Sequence, residues 1–414
     1  AGRPDQKGGA SVRVCVVGGG LAGSLLGWRL AQQPGMAVDL LLGSNGGRDA
    51  TGASGGAVRG YEALPRQREL AIASMAELLA SPVLRNWAGY LRAGFVYLPE
   101  QQDSPGWQDG LAAAAAQINH ELPGSATLTT AAAAFTGLAG PGGAGDGPVW
   151  AGPAEAAAVV EREAGSISPA GLRDAVLADL ARHGGTVVRS AAHSVTASQA
   201  GPFLVSAAGR VSEHDAVVFA AGAWTPGLLQ ASGLPADGYR AKAIQYGVWT
   251  VGGYCPPAFC DEQTGLYGKP APGGGLLLGV PTTGWDVPPG RPPVDPRWHE
   301  RALDLATRLF PRLRPGPLAT QMSAVDCYCG PPVLALRPVP ATRPGIFTFT
   351  GGSGGAAKTA LAASAQAALA LTGSWPAGKQ ADTPCVSLMG ADDGDGQARR
   401  AERPGDEFPV VVSS

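Results

Sequence analysis

The run Gly18-Gly19-Gly20-Leu21-Ala22-Gly23 spaces its glycines as a loop that cradles the phosphates of a dinucleotide would. Each glycine has its own task in such a loop. Gly18 makes the tight turn, Gly20 lets a pyrophosphate approach the backbone, and Gly23 lets the following helix pack close to the preceding strand. Leu21 and Ala22 open that helix, whose free N–H groups and positive dipole end would face the phosphates. One part is missing. The second strand should end in Asp or Glu for the ribose hydroxyls, but the sequence reads Leu42-Gly43-Ser44. Ser44 or Asn45 could substitute with a neutral hydrogen bond. Arg48 would suit a 2′-phosphate but lies several residues beyond the expected position.

The elements that hold this loop read as β-α-β. Val12 to Val17 is a buried β-branched strand, Leu21 to Gln33 has helical spacing ended by Pro34-Gly35, and Val38 to Leu42 is a second buried strand. Arg66 to Leu79 follows as a long helix. Residues 102–153 are dominated by Ala, Gly and Pro, including Ala112 to Ala116, and read in part as mobile loop. A helix from Pro169 leads to the strand Thr186-Val187-Val188, and Asp215 to Ala220 is another buried strand. Short alternating stretches over 235–330 predict an antiparallel sheet. Ile346 to Thr350 is a last strand, followed by a glycine turn and an Ala-rich helix from about Thr359 to Leu371. Past Gly373 the composition turns polar and acidic and reads as a tail.

The chain of 414 residues is long enough for two packed domains. A net charge of −2 leaves no footprint for nucleic acid or an anionic membrane, and no apolar run approaches the roughly 20 residues that span a bilayer. The six cysteines lack the density of a disulfide scaffold, which points to a reducing compartment. Cys255-x4-Cys260 with Cys327-x-Cys329 departs from the usual zinc-knuckle spacing, so no metal is expected. The expectation is a soluble protein of the cytoplasm, or of a plastid or mitochondrion if the start at Ala1 reflects removal of a transit peptide.

Four ordered stretches resemble the D-amino-acid oxidase superfamily, in particular its monomeric sarcosine oxidase and glycine oxidase branch. They are Gly52-Ala-Ser-Gly-Gly-Ala-Val-Arg59, Gly165-Ser-Ile-Ser-Pro169, Asp215-Ala-Val-Val-Phe-Ala-Ala-Gly-Ala-Trp224 and Gly351-Gly-Ser-Gly-Gly-Ala-Ala-Lys358. With the first glycine loop they frame residues 12–373. The resemblance implies an α/β fold in which a Rossmann-like FAD-binding domain is interleaved with an antiparallel-sheet (α+β) substrate domain. The FAD-binding parts would be 12–60, 165–234 and 331–373. The substrate-domain parts would be 61–164, with its low-complexity loop, and 235–330; 374–414 would be a flexible tail. FAD would accept a hydride at N5 from a C–H bond beside nitrogen in a small amine or amino acid.

The same resemblance assigns residues. Beyond the first loop, the FAD shell would include Ser44, Ser54, Val188, Ala221, Gly222 and Trp224, and then Gly352, Gly354, Gly355 and Lys358 of the last turn. Arg59 and Lys358 match the positions that fix the substrate carboxylate. Arginine suits that task through two parallel donors on a planar group, and a lysine at a helix start opposes the macrodipole, which favours a functional reason for Lys358. Cys327, with Cys329 as its neighbour, falls about where the branch can tether flavin through a thioether. The position of an O₂-activating lysine is Leu277, and a histidine expected soon after is Pro281, so an acceptor other than O₂ becomes open and with it a dehydrogenase. Lys269 could reach the flavin from an adjacent strand. None of the five histidines lies in a recognised motif. Two alternatives remain: a biosynthetic oxidase of a cyclic imino acid, and a non-catalytic flavin-binding or assembly protein.

Overall fold

Val12–Val17 is an unbroken apolar run apart from Arg13 because both of its faces are covered. Val14 and Val16 point into a layer of helices, and Cys15 and Val17 into the opposite layer. The computed structural model describes residues 11–43, 49–101, 105–138, 148–197, 201–290, 292–341 and 344–373. Within these, Val12–Val17 lies inside a six-stranded sheet. Its order is Ala335–Pro338, Ile346–Thr350, Ala216–Phe219, Val12–Val17, Met36–Leu41 and Thr186–Val188. All neighbours are parallel except the Ala335–Pro338 edge. The helices Leu21–Ala31, Pro169–Arg182 and Ala356–Gly373 cover one face, and a three-stranded meander from Ala192 to His214 covers the other. Parallel alignment brings Gly18, Leu42, Ala220 and Gly351, each just past a strand, to one edge of the sheet. Open α/β sheets bind ligands at that edge.

The second sheet has eight strands, ordered Leu313–Cys329, Tyr239–Gly253, Gly275–Gly279, Tyr267–Ala271, Ala258–Asp261, Phe95–Leu98, Ala157–Glu161 and Ala126–Thr130. Only Ala258–Asp261 and Phe95–Leu98 pair in parallel. Alternation gives this sheet two unlike faces. Val96, Phe259, Leu276, Leu278 and Trp249 point into an aromatic core with Phe135 and Phe310 beneath helix Pro296–Leu309. The register sets Tyr97, Cys260, Tyr267, Lys269 and Leu277 on the opposite face.

The stretch read as low-complexity loop over 102–153 is corrected. Residues 102–104 and 139–147 lie outside the described residues, but Trp107–Glu121 is a helix, Ala126–Thr130 a strand and Ala131–Gly137 a short helix. Alanine is the best intrinsic helix former, and Leu111, Ala114, Ala115 and Ile118 give the first helix a buried stripe. Phe135 anchors the second, its ring stacked 4.8 Å from Trp150. Small residues here permit close packing. The tail expected over 374–414 lies outside the described residues. Among the described residues no helix is long and apolar enough to cross a membrane.

Candidate active site

A cavity of about 570 Å³ lies between the carboxyl edge of the parallel sheet and the Tyr267–Leu277 face of the second. Gly18, Gly20, Leu21 and Ala22 line it, as do Ser54, Ala221, Gly222 and Trp224, and Gly352, Gly354 and Lys358. Gly18 has φ of +120°, and a Cβ there would come within 2.5 Å of the Ala220 carbonyl oxygen. A Cβ on Gly23, which packs behind the cavity, would sit 2.0 Å from the Gly18 carbonyl oxygen. At Gly20 such a Cβ would meet only the Thr51 hydroxyl, at 3.2 Å. That leaves the backbone open on the cavity side. The Leu21 amide at the helix start donates to Thr51 Oγ1 at 2.9 Å. An open glycine before a helix N-terminus suits a pyrophosphate, so these residues fit a dinucleotide such as FAD. Gly23→Ala is expected to abolish retention of FAD on purification and to lower the melting temperature, because the clash is with backbone that cannot swing aside. A Gly23→Ala protein that purifies with a full complement of FAD would refute this.

No carboxylate stands at the end of Met36–Leu41, where Leu42 and Gly43 line the wall; Ser44 lies outside the described residues. Asp49, overlooked in the sequence, lines the cavity with one oxygen accepting the Gly52 amide at 2.7 Å.

Arg59 leaves the short strand Ala57–Val58 at a turn held by Glu161, whose two oxygens accept the Gly60 and Tyr61 amides at 2.7 Å each. The Arg59 Nε donates to the Tyr61 carbonyl at 3.0 Å, and its guanidinium lies 4.7 Å from the Phe95 ring centroid and 4.8 Å from that of Tyr97. Lys358 sits in the first turn of helix Ala356–Gly373. Both cations reach one oxygen of Glu62: Arg59 Nη2 at 3.0 Å and Lys358 Nζ at 2.5 Å. Arg59 and Glu62 are buried and Lys358 nearly so, with side chains exposed by only 8, 10 and 12%. Burial alone would raise the Glu62 carboxyl, but Arg59 and then Lys358 hold it below the ordinary carboxylate range. Burial and the Arg59 charge lower the Lys358 ammonium, offset in part by Glu62. Two cationic side chains thus converge on one carboxylate oxygen in a low-dielectric setting, with Glu161 as a second buried carboxylate acting on Arg59. Sequence reasoning stopped at Arg59 and missed Glu62. The signal was a charged residue three positions on, inside an otherwise apolar stretch.

Cys327, expected at the flavin-tether position, does not line the cavity. The sheet pairs Lys242 with Asp326 and Ala241 with Cys327, so the two sets face opposite ways. Asp326 and Tyr328 line the cavity, whereas Cys327 is 1% exposed and lies outside the lining. Burial pushes its thiol up to about 11, partly countered by a hydrogen bond with Thr350, which disfavours the thiolate a nucleophile needs. Cys329 also lies off the cavity, its Sγ 3.2 Å from the Gly351 carbonyl oxygen. Asp326, missed in the sequence, joins the strand to the last glycine turn by accepting the Cys327 amide at 2.8 Å and the Gly354 amide at 2.9 Å. Val188 and Gly355 do not line the cavity either; Val188 is exposed on an edge strand, and its carbonyl accepts the Leu42 amide at 2.8 Å. Leu277 and Lys269 both line it, and no histidine does among the described residues. Nor does any cluster of three His, Cys, Asp or Glu among them suit a metal ion.

Solved structures with the same fold include glycine oxidase from Geobacillus kaustophilus, with 19% identity over 86% of this chain and 95% of that one, at a TM-score of 0.64. Iminodiacetate oxidase from Chelativorans sp. BNC1 shares 18% identity over 89% of this chain and 97% of that one, at 0.66. L-Proline dehydrogenase from P. horikoshii shares 15% over 88% and 94%, at 0.68. Comparison with curated protein sequences gives no match. The pattern of the FAD dependent oxidoreductase family matches residues 13–369, running from the first strand of the parallel sheet into the last helix. The cavity lies at the edge of that parallel sheet, and the chain belongs to the family of FAD-dependent oxidoreductases.

Proposed function

We propose that the protein oxidises the C–N bond of a small amino acid, with Arg59 and Lys358 holding the substrate carboxylate. The observation that carries this reading is that Arg59 and Lys358, both of which line the cavity, converge on one carboxylate oxygen of Glu62 at 3.0 and 2.5 Å. A carboxylate ligand would meet the same two donors, and Glu62 marks the geometry they prefer. The three solved relatives are named for glycine, iminodiacetate and proline, each an amino acid with a carboxylate on the carbon next to its nitrogen.

Bound FAD supplies the acceptor for a hydride from the carbon next to nitrogen. The chain supplies position and field. Arg59 is held on its donor side by Tyr61 and on its faces by Phe95 and Tyr97, so its fork enters the cavity in one orientation. The Arg59 and Lys358 cations disfavour a protonated substrate amine beside them and so keep the nitrogen lone pair available. No proton acceptor from histidine is required for that.

The test is anaerobic addition of small amino acids, glycine, N-methylglycine and proline among them, to the FAD-loaded protein. Bleaching of the flavin band is expected with at least one. No bleaching with any, alongside a normal bound spectrum, would favour a non-catalytic flavin protein. Two further readouts use the same sample. A quinone dye is expected to restore the colour faster than air, because the position that resembles the O₂-activating lysine of the family is Leu277; reoxidation by air at least as fast would point to Lys269 across the strand as the activating charge. Acid precipitation is expected to release the yellow colour to the supernatant, because Cys327 faces away from the cavity; colour kept in the pellet would overturn that reading.

A further inference from the structure

We infer that Lys269 forms a second anion subsite in the cavity, so that the substrate carries a second acidic group besides the carboxylate held by Arg59 and Lys358. This deepens the reading above and rests on it. Among the described residues four cations line the cavity: Arg59, Lys242, Lys269 and Lys358. Three have partners within the protein. Arg59 and Lys358 share Glu62, and the Lys242 ammonium lies 4.4 Å from the Trp285 ring centroid. Lys269 has neither a carboxylate nor an aromatic face against it among the described residues.

Its direction is fixed by register. Lys269 pairs with Leu277 across the strands, and Tyr267 two residues earlier follows Cys260 and Tyr97 across the same sheet face. Tyr97 is the ring beneath the Arg59 guanidinium, so Lys269 and the clamp look into one cavity from one face. Leu277, its cross-strand partner, packs 3.4 Å from the position of a Cβ on Gly55, in the loop that leads to Arg59.

The wall offers Lys269 no internal counter-charge. The two Asp326 oxygens are occupied by the Cys327 and Gly354 amides, and Asp49 accepts the Gly52 amide near Arg173. Burial lowers the Lys269 ammonium, and no neighbouring charge acts on it in either direction. An ammonium partly removed from water without a partner is disfavoured. A ligand anion beside Lys269 removes the penalty, and neither Asp326 nor Asp49, the two carboxylates of the lining, is paired with it.

Two non-oxidisable probes that differ by one carboxylate test this: thiodiacetate and methylthioacetate, titrated against the FAD-loaded protein by perturbation of the flavin spectrum. Wild type is expected to bind thiodiacetate about tenfold or more tightly than methylthioacetate, as one charge-assisted hydrogen bond allows. Lys269→Met is expected to erase that preference while leaving methylthioacetate affinity within about twofold, and Lys269→Arg to keep most of it. Equal affinity of the two probes in wild type overturns the subsite, and so does a preference that survives Lys269→Met. An equal loss of both probes in Lys269→Met, or a shifted spectrum without ligand, would make Lys269 a structural or flavin-facing group and likewise overturn it. Methylthioacetate binding in wild type without any preference sinks only this inference; failure of both probes to bind sinks the carboxylate clamp with it.

Discussion

Arg59→Met is expected to lower kcat/KM for the substrate amino acid by about 10²- to 10⁴-fold, with FAD content unchanged. Two charge-assisted hydrogen bonds of ~1.5–3 kcal/mol each set the range. The loss should fall on both kcat and KM, because the guanidinium binds the carboxylate and also aims the C–H bond. Arg59→Lys should recover part of the binding but less of kcat, since a flexible point charge cannot reproduce the planar fork seated on Phe95 and Tyr97. Stability should fall less than for most buried charges, because Lys358 remains to neutralise Glu62. Steady-state kinetics on the two variants, with flavin absorbance as the loading control, decide the matter. A near-native kcat/KM in Arg59→Met would remove Arg59 from substrate binding.

Glu62→Gln should act in the opposite sense on binding and in the same sense on folding. Without the internal carboxylate, Arg59 and Lys358 are free to meet a ligand, and methylthioacetate affinity is expected to rise about tenfold. The same change leaves two buried cations facing each other, and breaking a buried pair costs ~3–5 kcal/mol. Saturating ligand should restore much of that, about 2.7 kcal/mol at a hundredfold excess over Kd. The pH dependence carries a sign that can be checked. The Glu62 carboxyl is held below its ordinary range in the folded protein, so its contribution is complete above the unfolded carboxylate pKa and is lost as pH falls through the depressed one. Wild type should therefore lose stability at the acid end more steeply than Glu62→Gln. Parallel acid limbs in thermal melts, or weaker ligand binding by the variant, would show that Glu62 is not the internal occupant of the clamp.

Much of the parallel sheet was legible because its strands are buried on both faces and read as continuous apolar runs, and because glycines with one permitted geometry punctuate them. The glycine turns, separated by up to some three hundred residues in the chain, line one cavity. The second sheet was harder. Its residues alternate between an aromatic core and the cavity, and a sequence without a register does not say which parity faces which way. Cys327 drew attention through its resemblance to a tethering cysteine, and only the register shows that its neighbour Asp326 faces the cavity instead. Glu62 was missed for another reason: a carboxylate beside an arginine looks like a surface ion pair until burial is known. The alanine-rich helices were misjudged because scarcity of large apolar groups was equated with disorder, whereas Phe135 and one buried stripe suffice to order them.

The strand order of the parallel sheet has a consequence for how the molecule comes into being. Ala216–Phe219 is wedged between Val12–Val17 and Ile346–Thr350, so the amino-terminal β-α-β unit waits for partners made much later in synthesis. Contacts of such long range are slow to close and leave strand edges bare in the interval. The Gly351–Lys358 turn and Glu62 meet only when that final strand has docked. The Arg59–Glu62–Lys358 cluster, the proposed carboxylate clamp, is thus among the last features a nascent chain acquires, and a chain stalled before Ile346 would present a half-built nucleotide loop without it.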